Sequence, residues 1–384
     1  MLAPGINFIN FGKVSDKKNI KKKFRQTVTY KKYPFILSLS ENYKYSFSKI
    51  KLNKIKKNKY FRLIGMGGSI LGAEAIYNFL NHKIKKKFIF INNLKPNLSV
   101  DEKFNKAFNI IISKSGNTLE TISNTNKLLN KKNIIITENN KNYLRNVAQK
   151  LSIEIADHKN FIGGRYSVLS EAGMLPAELM GFNPSKFKIY NKLINNKNFL
   201  NQLYSNVNFT LNFIKKRKIN SIILNYDEKS ESLFRWYQQL IAESLGKKSK
   251  GILPIISSMP KDNHSLMQLY LDGPKKNFFT FFSVEEKSEK LNKFIIDKSF
   301  LNLKNKSLYE IIDAQKKATQ IVFKKQKIPF RSFKIIKRNE NTLGGLFCFF
   351  MLEVVLLSKA LKVNPLDQPA VELIKNETKK ILIK

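Results

Sequence analysis

Phe61-Arg62-Leu63-Ile64-Gly65-Met66-Gly67-Gly68-Ser69-Ile70-Leu71-Gly72-Ala73-Glu74-Ala75-Ile76 reads, in that order, as an apolar strand, a glycine turn and a helix. The chain has only 16 glycines in 384 residues, below the average of about 7%, so four of them within Gly65–Gly72 stand out. Backbone N–H groups at a turn that opens a helix face outward, and the helix dipole favours negative charge there. A phosphate or carboxylate suits the place, with an ordinary tight strand-to-helix turn as the alternative. A dinucleotide fingerprint would need glycine where Ile70 stands, and the next apolar run ends in Asn92-Asn93 with no acidic residue for a ribose. The P-loop spacing is absent too.

Outward from this unit the pattern repeats. Apolar runs predict strands at 61–64, 87–92, 109–113, 133–137 and 153–156, and a second series at 221–224, 252–257, 278–284 and 333–337. Helical stretches are expected at 71–80, 118–129, 231–245 and 341–361. Continuous apolar strands separated by helices indicate an α/β fold with parallel sheets covered on both faces. Two series predict two such domains, 61–183 and 184–363, with residues 1–60 packing on them and 364–384 forming a final helix entered at Pro369.

Composition narrows the class. The chain is 42% hydrophobic with 30 Phe, which supplies a substantial core, and it carries 70 Lys+Arg against 28 Asp+Glu, a net charge of +42. The basic runs at 17–23, 51–59, 83–87, 215–218 and 247–250 are scattered and interleaved with Asn and Ile. That distribution reads as solvated faces in a composition drifted towards Lys, Asn and Ile, and neither a nucleic-acid nor a membrane partner is expected. The surface would still attract anionic small molecules. Cys348 alone excludes an internal disulfide or a cysteine-based zinc site. His82, His158 and His264 lack partners at ligand spacing, so no metal is expected. The longest apolar stretch, 343–357, contains Glu353 and falls short of the ~20 residues of a membrane span. With no basic start leading into an apolar run, a cytoplasmic location is expected.

Further motifs carry chemistry. Ser113-Lys114-Ser115-Gly116-Asn117-Thr118 follows another apolar strand, with Asn117 and Glu120 spaced as a helix start. Three hydroxyls and a lysine around such a turn suit phosphate, though a capped helix start accounts for them equally. At Gly163-Gly164-Arg165-Tyr166-Ser167 paired glycines allow close backbone approach, and Arg165 supplies a permanent cation able to stabilise a developing oxyanion. Gln239 and Glu243 share a helix face that ends at Gly246, so Glu243 is either a solvated acid or a general base. His264 stands where a helix running to Leu271 can begin, and Gln368 and Lys375 flank the start of the last helix.

Taken in order with Gly273-Pro274 and Asn364–Lys375, these segments resemble the glucose-6-phosphate isomerase family in its compact bacterial form, over residues 61–375. The resemblance implies two sugar-isomerase (SIS) domains and aldose–ketose interconversion of glucose 6-phosphate and fructose 6-phosphate without cofactor. It implies Glu243 as the proton-transferring base, Arg165 as the cation beside the enediolate, and His264 with Lys375 as the ring-opening groups. Gly68, Ser69, Ser113, Lys114, Ser115, Thr118, Gly164, Gln239 and Gln368 are implied in substrate binding. A homodimer is implied as well, with His264 supplied across the interface. A bifunctional phosphoglucose/phosphomannose isomerase and a non-catalytic phosphosugar-binding protein are the alternatives. Ala370 and Ile374 depart from the family pattern, which places glycine at both positions and so leaves the orientation of Lys375 open.

Overall fold

Runs of Ile, Leu and Phe bounded by polar residues form the strands of the computed structural model, which describes residues 1–12, 21, 32–98, 101–291, 303 and 305–383. The basic run at 17–23 lies outside the described residues apart from position 21. The strands are β1 (Ile6–Ile9), β2 (Tyr60–Gly65), β3 (Lys87–Ile91), β4 (Phe108–Ile112), β5 (Asn133–Glu138), β6 (Glu154–His158), β7 (Asn220–Asn225), β8 (Leu253–Ser258), β9 (Asn277–Val284) and β10 (Phe330–Ile335). They build two five-stranded sheets, ordered β3-β2-β4-β5-β6 and β1-β10-β9-β7-β8.

The first sheet is parallel throughout. Alternate residues of its strands face opposite sides, so Leu63, Ile110 and Ile134 join one apolar cluster and Ile64, Ile111 and Ile135 another. Helix Leu71–Phe79 covers the first side through Ala73, Ile76 and Phe79; helix Tyr143–Lys150 covers the second through Leu144 and Ala148. Strand order reverses between β2 and β4, which are paired with Gly65 opposite Ile112. Connections leaving such a pair diverge and open a crevice at the carboxyl ends of the strands, where ligands bind in folds of this type.

The second sheet carries an element absent from the sequence expectations. β1 pairs antiparallel with β10, Ile6 opposite Ile335, on the edge of four parallel strands. Residues 33–47 then dock on the first half: Tyr43 Oη donates to Glu171 Oε2 at 2.7 Å, Ser46 N donates to Glu171 Oε1 at 3.1 Å, and Phe35 stacks on Tyr166 at 4.0 Å. β10 begins at Phe330, three residues before the expected run. Helices Lys197–Lys215 and Leu308–Lys325 were likewise not expected.

Helix Glu340–Leu361 runs through the centre. At 22 residues it is long and apolar enough to cross a membrane, more than the 15-residue apolar stretch suggested, yet 89% of its most apolar window is buried inside the protein. Its one interior acid, Glu353, meets Arg331 from β10, with Asn206 and the Tyr237 hydroxyl completing the cluster. Both charges are almost fully buried, so each depends on the other for solvation. Glu353→Gln is expected to lower unfolding free energy in a urea titration by roughly 3–5 kcal/mol. Replacing the pair together by Met and Leu should recover most of that loss. Parent stability in the single variant would contradict the pairing.

Candidate functional site

Three segments far apart in sequence meet at one guanidinium. The glycine turn after β2 lies against the Gly163–Ser167 bend: a β-carbon on Gly68 would come within 2.2 Å of the Gly164 carbonyl carbon and 2.5 Å of Arg165 N. Ser167 Oγ donates to Gly68 O at 3.1 Å and locks the two turns together. Helix Glu231–Leu245, at the span expected, passes beneath them, and Trp236 Nε1 donates to Arg165 O at 3.1 Å. Arg165 is therefore fixed at its backbone before its side chain makes any contact.

That side chain is only 2% exposed. Its Nε donates to Ser244 Oγ at 2.9 Å, Nη1 to Glu243 Oε2 at 2.8 Å and to Gln368 Oε1, and Nη2 to Pro365 O and Asp367 O, the last at 3.0 Å. Glu243 Oε1 accepts from Gln239 Nε2 at 2.8 Å, as their helical spacing predicts. Glu243 keeps 26% of its side chain exposed, so the carboxylate is held at two points and still open to a ligand. Gln239 Oε1 is buried without a hydrogen-bond partner, an acceptor available beside that carboxylate. Burial pushes the Tyr166 phenol up, which keeps it a neutral donor to Pro365 O at 3.1 Å. An oriented carboxylate touching a buried, permanently charged arginine is suited to moving a proton next to a carbonyl and stabilising the resulting oxyanion.

The anion-type turns lie at the reversal of strand order. Helices Leu71–Phe79 and Leu119–Leu128 both start without a side-chain cap, so their first-turn amides are left for an outside acceptor. Gly116, at φ +66°, makes the turn after β4, and Ser113 and Thr118 hydroxyls stand 2.9 Å apart. Asn117 does not cap the helix as expected; Thr118 occupies that position, and Asn117 Oδ1 accepts instead from Tyr143 N at 2.9 Å. Ser69 is half-buried at the first turn and Ser115 is exposed at the second. Lys114 donates to Asn160 O at 2.9 Å and pairs with Glu138 at 3.3 Å.

Two expected residues stay outside this cluster. His264 is exposed after the 3-10 turn Lys261–Asn263, and the following helix begins only at Met267. Lys375 is exposed and pairs with Glu372 on its own helix, Pro369–Ile383, which has no buried residue. Neither shows a contact to Arg165 or Glu243 within the single chain. His158, open to several readings in sequence, is buried at the end of β6, where burial pushes it down to about 4. Ser244, Tyr166, Trp236, Asp367 and Lys247 were not singled out for any role. Ser244 and Lys247 flank the Glu243 motif, which was their available signal. Among the described residues no group of three or more His, Cys, Asp and Glu could hold a metal ion.

A family model for phosphoglucose isomerase matches residues 51–253. The glucose-6-phosphate isomerase of Methanocaldococcus jannaschii is 34% identical, over 83% of this chain and 82% of its own. That of Mycoplasmopsis pulmonis is 34% identical over 84% and 82%. The chain belongs to the phosphoglucose isomerase family. Its fold is shared with a hypothetical protein of Thermus thermophilus, at a TM-score of 0.82, 21% identity and 95% coverage of both chains. It is shared too with a glucose-6-phosphate isomerase of Chlamydia trachomatis, at a TM-score of 0.73, 16% identity and coverage of 98% of this chain and 88% of that one. The expected α/β architecture of two parallel sheets flanked by helices is the one observed, with β1 added antiparallel to the edge of the second.

The Gly68–Gly164 contact in this phosphoglucose isomerase fold is backbone against backbone, so nothing flexible can yield to an added methyl group. Gly68→Ala should cost about 1–3 kcal/mol in a denaturant titration by forcing the two turns apart. Parent stability would show that the close approach is not required.

Proposed function

We propose that the chain interconverts glucose 6-phosphate and fructose 6-phosphate, as an intracellular step of glycolysis and gluconeogenesis in the cytoplasm. The observation that carries this reading is the contact of Glu243 with buried Arg165, flanked by Gln239 and Gln368. In the open-chain aldose, Glu243 takes the C2 proton while the C1 carbonyl oxygen gains the charge, giving a cis-enediolate beside Arg165. The O2 proton passes to the O1 oxyanion, and the charge left on O2 collapses to the C2 carbonyl as Glu243 returns its proton to C1, so atoms balance with no redox partner. Gly68, Ser69, Ser113, Lys114, Ser115 and Thr118 would hold the phosphate, away from the reacting carbons, so that its binding energy orients them. Gly164, placed against Gly68, lets the backbone come close to the ligand.

The proposal includes a homodimer. In one chain helix Pro369–Ile383 leaves Leu373, Ile374, Ile381, Leu382 and Ile383 between 65% and 74% exposed, more apolar surface than a free helix normally presents to water. A second subunit would cover it, bring Lys375 towards a site, and place His264 of the partner subunit at the substrate ring. We take the two units to run over 61–183 and 184–363.

The test is turnover of fructose 6-phosphate by subunit mixing. Glu243→Gln alone should lose about 10³-fold in kcat, and His264→Ala should be strongly impaired. Refolding the two variants together should restore activity, because one site of each mixed dimer keeps both residues. A parent that binds sugar phosphate without turnover would replace the enzyme with a phosphosugar-binding protein. Mixtures no more active than the sum of the parts would contradict the shared site.

A further inference from the structure

Residues 364–368 form a strap between the central helix and the last one, and the strap crosses the site. Arg165 holds one side of it through Pro365 O, Asp367 O and Gln368 Oε1. The other side is held by Lys247, just beyond the helix that carries Glu243. Its ammonium donates to Asn364 O at 2.5 Å and to Ser244 O at 3.2 Å, and pairs with Asp367 Oδ1 at 3.1 Å. Asn364 Nδ2 adds a bond to Asp367 Oδ2 at 2.9 Å, so both carboxylate oxygens are occupied. The lysine side chain is only 11% exposed.

We infer that Lys247 is a positioning residue that keeps the Asp367 carboxylate off the Arg165 guanidinium and so preserves that guanidinium's charge for the reaction. Asp367 already touches Arg165 through its main-chain oxygen. Its carboxylate feels the charge of the same cation, side-chain torsions can re-aim it, and a bidentate carboxylate is the partner an arginine fork binds best. Burial pushes the Asp367 carboxyl up, but its bond to Lys247 and the charges of Lys247 and Arg165 outweigh that and leave it below the usual range. It is thus an anion drawn to both cations, and without Lys247 the attraction of Arg165 remains. Lys247 also sits on the last-turn carbonyl of Ser244 in the Glu243 helix, where a cation is favoured, so strap and base are pinned to one support.

The inference rests on the isomerase reading, and the test separates the two. Lys247→Met should lower kcat for fructose 6-phosphate about 100-fold, with KM close to the parent value because the phosphate turns follow β2 and β4. Lys247→Arg should restore turnover. Adding Asp367→Asn to Lys247→Met should regain most of the loss, since the stray carboxylate is gone; a merely structural lysine would make that double variant worse. Amide hydrogen exchange over 364–368 should quicken in Lys247→Met whether or not the protein is active. If the parent fails to isomerise, the functional reading falls and exchange still decides the latch. Parent kcat in Lys247→Met, a double variant no better than the single one, or unchanged exchange would overturn the inference.

Discussion

The guanidinium of Arg165 is the constraint on which the rest of the site depends. Its five donors reach Ser244, Glu243, Gln368, Pro365 and Asp367, which belong to a helix of the second half and to the strap before the last helix. A cation this deeply buried is tolerable only when its donors are all engaged and a counter-charge is present. The Ser244 hydroxyl, the Gln368 amide and two strap carbonyls meet the first requirement alongside Glu243, which alone among them supplies the second. Fold and chemistry therefore share one set of contacts: moving the strap loosens the arginine, and moving the arginine releases the carboxylate.

What fixes Arg165 lies a layer further out. Gly68 and Gly164 let two turns touch through backbone alone, Trp236 takes the Arg165 carbonyl, and Tyr166 is pinned between Phe35 and Pro365. The N-terminal residues thus act on the site at second hand, by stacking on the neighbour of the arginine. The turns after β2 and β4 sit at the reversal of strand order between those strands, and the first of them is also the turn that Ser167 ties to the Arg165 bend.

Much of this arrangement was legible in the residues. Helix Glu231–Leu245 was readable to its ends because charged residues open it and Gly246 closes it, and its four-residue spacing placed Gln239 on Glu243. The helix Lys197–Lys215 was not, because a sequence rich in Asn and aromatic residues hides a helical period behind weak propensity. Leu308–Lys325 had a usable signal in the Ser307–Glu310 capping box. β1 had almost none: four residues gain strand character only from the edge of β10. The strap was legible as residues but not as contacts, because Arg165 and Asp367 are two hundred positions apart and meet through a main-chain oxygen. The single chain leaves His264 and Lys375 exposed, and no spacing rule speaks to what covers them.

The central claim is that one planar, fully engaged cation both ties these segments together and carries the charge that the reaction needs. The kcat and KM of Arg165→Lys for fructose 6-phosphate test it most directly, since lysine keeps the charge but cannot present a fork to five acceptors. The account predicts a kcat lower by about 10²–10³-fold with KM little changed. A variant that turns over at the parent rate would contradict it.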